Sequence, residues 1–426
     1  MFDAFITAPP GALMALFSSF AAFEAHVNGL GLFHMDLRLE RMDRVLTCLG
    51  HTRPQGMTLQ VLGTNGKGST SSMLEGLARA QGRRTGVFSS PHFVSLRERV
   101  RIDGALLDEQ QWLRAANSVA KCAPELTYFE WMTAVALELF ALHDVDVLIL
   151  EAGLGGRHDA TTAVAVDGTV VTPIGEDHEN ILGPGLKRIA ADKAGAFRPG
   201  VPVFSARQSA EVRNVLEDAA EKCHSPLRFV PADPPCDVPS CLAERLPGTH
   251  QQDNFRLATL AWSACAKQLG AEISPAILRR GAQLAWLPGR LQWCRLGGLE
   301  VLLDGAHNPP ALECLRQFVE ALEAPPRQLI FSCLSDKATA GLLEQIRQFN
   351  MDAVWVPEIA AGPRNLPARQ LASQVGGTPV ATLGHALQWA QEAGGRVLIC
   401  GSLYLLAEFF RLHPRFLVPP TSDLSA

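Results

Sequence analysis

The chain has 426 residues, 47% of them hydrophobic and 19% charged, with a formal net charge of −5. That length suits two domains with cores of their own, and the composition excludes a disordered protein. A net negative chain has no general attraction for nucleic acid, which is excluded as the main partner, although the run Arg97-Glu98-Arg99-Val100-Arg101 stays free to bind a small anion.

Leu13 to Phe23 is apolar and about as long as a signal-peptide core, but the first basic residue is Arg38 and Asp3 lies where positive charge belongs. Leu13, Leu16, Phe17, Phe20 and Phe23 recur at helical spacing, which predicts an amphipathic helix packed on the body. No other segment approaches a membrane span, so a cytoplasmic protein is expected. The ten cysteines are scattered without a C-x-x-C pair and read as small buried hydrophobes in a reducing cytosol.

The apolar run Leu59 to Leu62 is followed by Gly63-Thr64-Asn65-Gly66-Lys67-Gly68-Ser69 and then by a helical pattern through Met73, Leu74, Leu77 and Ala78. Strand, glycine-rich turn and helix is the context of a phosphate-binding loop, in which backbone N–H groups converge on phosphate, Lys67 adds a full charge and the Ser69 hydroxyl can reach magnesium. The common form of that loop has a glycine where this chain has Val61, so a general nucleotidase assignment does not follow.

Further strands are predicted at Thr85 to Phe88, Val145 to Leu150, Gly168 to Pro173 and Val201 to Ser205. Helices are predicted near Asp108 to Lys121, Tyr128 to His143, Leu186 to Ala196, Ala210 to Lys222, Asn254 to Leu269 and Pro275 to Leu284. Unbroken Val, Ile and Leu runs suit strands covered on both faces. Pro226 to Pro247 is irregular, and Leu287-Pro288-Gly289-Arg290 reads as a break opening a linker near 288–297. The β/α rhythm then resumes at Leu299 to Leu303, Leu329 to Phe331, Ala353 to Val356 and Val397 to Cys400. The expected fold is α/β: an N-terminal P-loop-type domain over 1–287 with a mostly parallel sheet and flanking helices, and a smaller Rossmann-like α/β domain over 288–426.

Polar residues fall where strands end, the ligand-binding edge of open α/β sheets. Glu151 ends one run and can hold magnesium, or can merely cap a turn. Asp177-His178 and Ser89-Ser90-Pro91-His92 follow two others. Lys193, near a predicted helix C-terminus, reads by spacing alone as a partner of the helix dipole.

Taken in order, these segments resemble the folylpolyglutamate synthase/dihydrofolate synthase family, within the Mur-type ATP-dependent amide ligases. The resemblance also draws on Leu126 to Glu130, Glu151 to Asp159, Asp192 to Gly195, Asn254, Pro288 to Arg290, Asp304-Gly305-Ala306-His307-Asn308-Pro309 and Gly401 to Tyr404. It implies that Gly66, Lys67, Gly68 and Ser69 hold ATP phosphates and that Ser90, Glu151 and His178 ligate Mg2+. It further implies that Lys193 is the lysine carbamylated in this family, and that Asn254, Arg290 and Asp304 contact the nucleotide. His307 would face the phosphate or the amino acid. Met35, Asp36, Leu37, Thr127, Tyr128, Phe129, Glu130, His158, Asp159 and Ala160 match pterin-holding positions, with Phe129 offering a flat face and Asp159 accepting hydrogen bonds.

The implied reaction joins L-glutamate to dihydropteroate, and to folate tails, through an acyl phosphate, with a monomer as the expected state. A Mur-type ligase with a muramoyl acceptor shares the ATP chemistry but not Tyr128-Phe129 and Asp159. A non-catalytic nucleotide switch would lack the metal and closing residues. Glu176, Thr161-Thr162 and Arg38 depart from the family pattern near the metal and acceptor sites.

Overall fold

The structure is a computed structural model that describes residues 16–31, 38–122, 125–233, 237–359 and 364–419. The first sheet comprises β1 Met57–Leu62, β2 Thr85–Phe88, β3 Val100–Ile102, β4 Ala105–Leu106, β5 Val147–Glu151, β6 Gly168–Val171, β7 Val203–Ser205 and β8 Leu227–Phe229. Their spatial order is β4-β3-β2-β5-β1-β6-β7-β8. From β2 to β8 neighbouring strands run parallel, and β3 and β4 add an antiparallel edge. The central strand β1 is buried along all but its first residue, as its Leu-Gln-Val-Leu run requires when helices cover both faces.

One face packs on the helices Lys67–Ala80, Thr249–Gln268 and Pro275–Leu284, and the other on Glu109–Cys122 and Tyr128–Leu142. A second sheet joins β9 Gln292–Leu296, β10 Leu299–Leu303, β11 Gln328–Phe331, β12 Ala353–Pro357, β13 Thr378–Val380 and β14 Arg396–Cys400 in the order β13-β12-β11-β14-β10-β9. All its pairings are parallel except the β9–β10 hairpin. The α/β expectation therefore holds, with a large parallel-dominated sheet and a second, smaller one. Among the described residues no helix is long and apolar enough to cross a membrane.

Several expectations need correction. The segment expected as linker at 288–297 contains β9, whose side chains alternate in exposure as an edge hairpin strand should. The irregular stretch after Pro226 holds β8 and a short helix, Leu242–Arg245. The helix expected over Asn254 to Leu269 begins earlier, at Thr249. Near the N-terminus the helix is Phe20–Gly29, started by Ser19, whose hydroxyl accepts from Ala22 N–H. The first three residues of the helix expected over Leu13 to Phe23 lie outside the described residues.

The cysteines are not uniformly inert. Cys48 is exposed, and it pairs with Cys122 in a disulfide between the ends of helices Glu40–Leu49 and Glu109–Cys122. Cys265, Cys294, Cys333 and Cys400 are buried free thiols, as expected. A bridge across 74 residues of sequence stabilises by about 4 kcal/mol on chain-entropy grounds. Reduction, or Cys48→Ser, should therefore lower Tm by several degrees. If alkylation under denaturing, non-reducing conditions labels every cysteine, the pairing is wrong.

Candidate active site

The carboxyl edge of the first sheet gathers the candidate residues. The loop after β1 enters helix Lys67–Ala80 through Gly66, in left-handed backbone at φ 87° and without a side-chain cap. A Cβ at Gly66 would sit 2.6 Å from the Asn254 Oδ1, so only glycine allows Asn254 to close on the loop. The uncapped N-terminus leaves its first N–H groups for an anion, which fits a phosphate cradle.

Lys67 folds back, its Nζ donating to the Gly63 and Thr64 carbonyls at 3.2 Å each. The Lys193 Nζ donates to the same Gly63 carbonyl at 2.9 Å. Lys193 lies in the last turn of helix Leu186–Ala194 and is only 4% exposed. Burial, reinforced by Lys67, lowers its pKa to about 7, so a substantial fraction is neutral amine near neutral pH. The helix reaches this position because Gly156 packs on the Lys193 backbone, where a Cβ would come within 2.6 Å.

Glu151 ends β5 and is buried. Its carboxylate accepts from Ser90 N–H at 3.3 Å. Burial pushes its pKa up, against the pull of Lys67 and the Ser90 bond. His178, at φ 56°, precedes the short helix Glu179–Leu182. Desolvation on its protein-facing side, with the Lys337 and Lys67 charges, holds its imidazole at about 4 despite Asp177, while 39% of the side chain stays open to solvent, so the ring is neutral and accessible to a cation.

A desolvated carboxylate and a neutral imidazole fit a divalent cation. Among the described residues no three His, Cys, Asp or Glu side chains converge as a metal cage. A cation held here would thus draw its remaining ligands from hydroxyl and phosphate oxygens, as magnesium does beside nucleotides.

The second sheet's loops close over this edge. The side-chain amides of Asn65 and Asn308 exchange two hydrogen bonds, at 3.2 and 2.9 Å. Asn308 also caps helix Pro309–Glu320 through Ala311 N–H and donates to Asp177 Oδ2 at 3.1 Å. Lys337 pairs with Asp177. Burial alone would raise the Asp177 pKa, but the paired Lys337, joined by His178 and His307 once acid protonates them, holds it below the usual carboxylate range. The ring of His307 contacts the Gly305 carbonyl through Nδ1 at 2.7 Å. A carbonyl only accepts, so Nδ1 carries the proton, and with the pKa lowered by burial Nε2 is left as an acceptor.

Some expected ligand contacts are already engaged within the protein. Asp304 accepts from Leu291 and Ala306 N–H at 2.9 and 2.8 Å, so it shapes the turn that carries Arg290. Asp159 receives Gly153, Leu154 and Thr161 N–H and the Thr161 hydroxyl at 2.6–3.1 Å. Four donors fill its lone pairs, so in this conformation it organises the glycine turn instead of presenting free acceptors. Thr127 and Glu130 form a capping box at the start of helix Tyr128–Leu142, and Glu130 also pairs with Arg41.

Phe129 is half-buried beside Phe88, with ring centroids 5.5 Å apart. Ala160 is buried, while His158 is exposed. Met35, Asp36 and Leu37 lie outside the described residues. The sequence reading assigned no role to Asn65, Asn308 or Lys337. Only Asn308-Pro309 left a mark, since Asn before Pro is a helix-start pattern.

Comparison with known proteins decides the family. The dihydrofolate synthase/folylpolyglutamate synthase of Escherichia coli K12 is 35% identical over 407 residues, covering 92% of this chain and 94% of that protein. The chain belongs to the folylpolyglutamate synthase/dihydrofolate synthase family. It is an ATP-dependent ligase of that family, and residues 289–403 match the Mur ligase glutamate ligase domain. The structure of E. coli FolC in complex with DHPP and ADP superposes with a TM-score of 0.82 at 32% identity, covering 93% of this chain and 98% of that one. A Yersinia pestis synthase of the same family, complexed with AMPPNP and Mn, gives 0.82 at 30% identity over 93% and 98%.

As a synthase of this family, the protein keeps Lys193 buried at a cost to stability. Its folded pKa lies below that of an exposed lysine, so the penalty is full below about pH 7 and relaxes as pH rises toward the unfolded value. In CO2-depleted buffer, Lys193→Met should melt several degrees higher than the parent at pH 6, with the gain shrinking by pH 9. An equal or lower Tm at pH 6 would refute this.

Proposed function

We propose that the protein joins L-glutamate to dihydropteroate and, as a second activity, to the glutamyl tails of folates, each through an acyl phosphate. The observation that carries this reading is the meeting of the phosphate loop, Glu151, His178 and the near-neutral Lys193 under the Asn65–Asn308 contact from the second sheet. The DHPP complex of the E. coli relative supports the choice of acceptor.

A carboxylate oxygen is too poor a leaving group for direct amide formation. The acceptor carboxylate therefore attacks the γ-phosphorus of ATP, releasing ADP, and the glutamate amine then attacks the acyl phosphate and expels phosphate. Negative charge accumulates in both steps. Lys67 and the N–H groups of Gly66 to Ser69 are placed to meet it. Ser90, Glu151 and His178 would hold Mg2+, which when bound neutralises phosphate charge and polarises the transferring group. Arg290 and Asn254 flank the nucleotide, and Asp304 keeps Arg290 in place. The neutral Nε2 of His307 is suited to accept a proton from the incoming amine. Contacts between the two sheets exclude water that would hydrolyse the acyl phosphate.

For the pterin we assign Phe129 as the flat contact and the 153–160 turn, with Asp159 as its organiser, as the rim. We place the domain boundary at 287/288 and read the chain as a monomer. ATP as phosphoryl donor suits a cytoplasmic site of action, which is the reading we adopt.

We further assign Lys193 as a carbamate site. Its amine adds to CO2 and loses one proton, and the cation becomes a carboxylate-like acceptor beside Lys67. Glutamate-dependent ADP release should appear with dihydropteroate and then with tetrahydrofolate as acceptor. Its absence with both refutes the assignment. Lys193→Ala should lose about 100-fold or more in kcat, with partial rescue by acetate or formate. Full activity in that variant removes the carbamate.

A further inference from the structure

The basic run Arg97 to Arg101 contains three arginines with three different fates. Arg101 pairs with Glu75 at 3.1 Å, and Arg97 donates to the Leu107 carbonyl at 3.2 Å. Arg99 is 4% exposed, yet among the described residues no carboxylate comes within ion-pair distance of it. Its Nε donates to His92 Nδ1 at 3.0 Å, and its guanidinium lies 5.2 Å from the centre of the Tyr128 ring. A guanidinium has donors only, so His92 Nδ1 must be unprotonated to accept. Tyr128 is 2% exposed, and its hydroxyl, though beside Arg99, makes no well-formed hydrogen bond.

A buried guanidinium whose nearest carboxylates, Glu151 and Glu98, act on it only from beyond ion-pair distance, next to a phenol whose proton has no acceptor, is an incomplete arrangement. One carboxylate would complete both halves, taking N–H bonds from the guanidinium and the O–H bond from the phenol. The place is also right. The Arg99 carbonyl accepts from Ser89 N–H at 2.9 Å, and the next residue, Ser90, binds Glu151. The cluster thus borders the edge where the acceptor carboxylate must meet ATP.

We propose that Arg99 and the Tyr128 hydroxyl receive the acceptor's carboxylate and orient it for attack, with His92 as the positioning residue that aims the guanidinium. This rests on the ligase reading above and adds the group that recognises its substrate as an acid. A bidentate ion pair also explains how a carboxylate is brought beside Glu151 and the ATP phosphates despite their like charge.

The test measures binding of dihydropteroate and of its neutral carboxamide to the full chain with ADP present. The parent should favour the acid by about tenfold or more. In Arg99→Gln the acid should weaken to near the amide, with amide affinity and the KM for ATP unchanged. Tyr128→Phe removes a hydroxyl that makes no formed bond in the free protein, so it should fold with an unaltered Tm and lose several-fold of the acid preference. His92→Leu should lose part of the preference, and His92→Gln, which keeps an acceptor, should retain it.

An acid-to-amide ratio equal to the parent's in Arg99→Gln and Tyr128→Phe overturns the inference. If Arg99→Gln does not fold, Tyr128→Phe alone decides in the same way. Failure of the parent to bind either compound would sink the choice of dihydropteroate as acceptor, whereas a parent that binds the acid beside variants with unchanged ratios sinks only this inference.

Discussion

Two lysine amines donate to one carbonyl oxygen, that of Gly63, and much of the site follows from this crowding. Two full positive charges cannot share one acceptor in a desolvated pocket at low cost. The more buried of the two, Lys193, is the one whose pKa falls to about 7. The surrounding backbone is built to keep both amines there. Gly156 admits the Lys193 helix, and Gly66 admits Asn254. A side chain at Gly156 would push the Lys193 helix off the loop, and one at Gly66 would displace Asn254.

The acidic residues divide by what their oxygens do. Glu151 keeps a buried carboxylate with little compensation, the condition for attracting a cation. Asp159 and Asp304 have comparable burial, but four donors fill Asp159, and one backbone N–H already binds each oxygen of Asp304. They act as fasteners for the glycine turn and for the segment bearing Arg290. An alanine at either position would loosen the turn it holds, so loss of activity there does not by itself identify a ligand contact.

The sequence made the ordering of the site legible, because each candidate follows an apolar run and parallel strands deliver all such positions to one edge. Strands β1, β2 and β10 were readable for the same reason. The short or edge strands β8, β9 and β13 were not, since three to five residues with mixed exposure carry no distinctive period. Residue type also hides partnership. Arg97, Arg99 and Arg101 look alike in sequence and differ only in what folds against them, and the Cys48–Cys122 pairing joins positions whose spacing says nothing.

The contact between the two sheets mixes two kinds of bond. The Asn65–Asn308 amides carry no net charge, whereas Lys337 and Asp177 form an ion pair. The ion pair is itself largely buried, with its side chains 13% and 9% exposed, so ionic strength screens it little. The Asn308 amide also donates to Asp177, so the neutral and the charged contact meet at one carboxylate and hold the His178 segment and the loop after β1 as a unit.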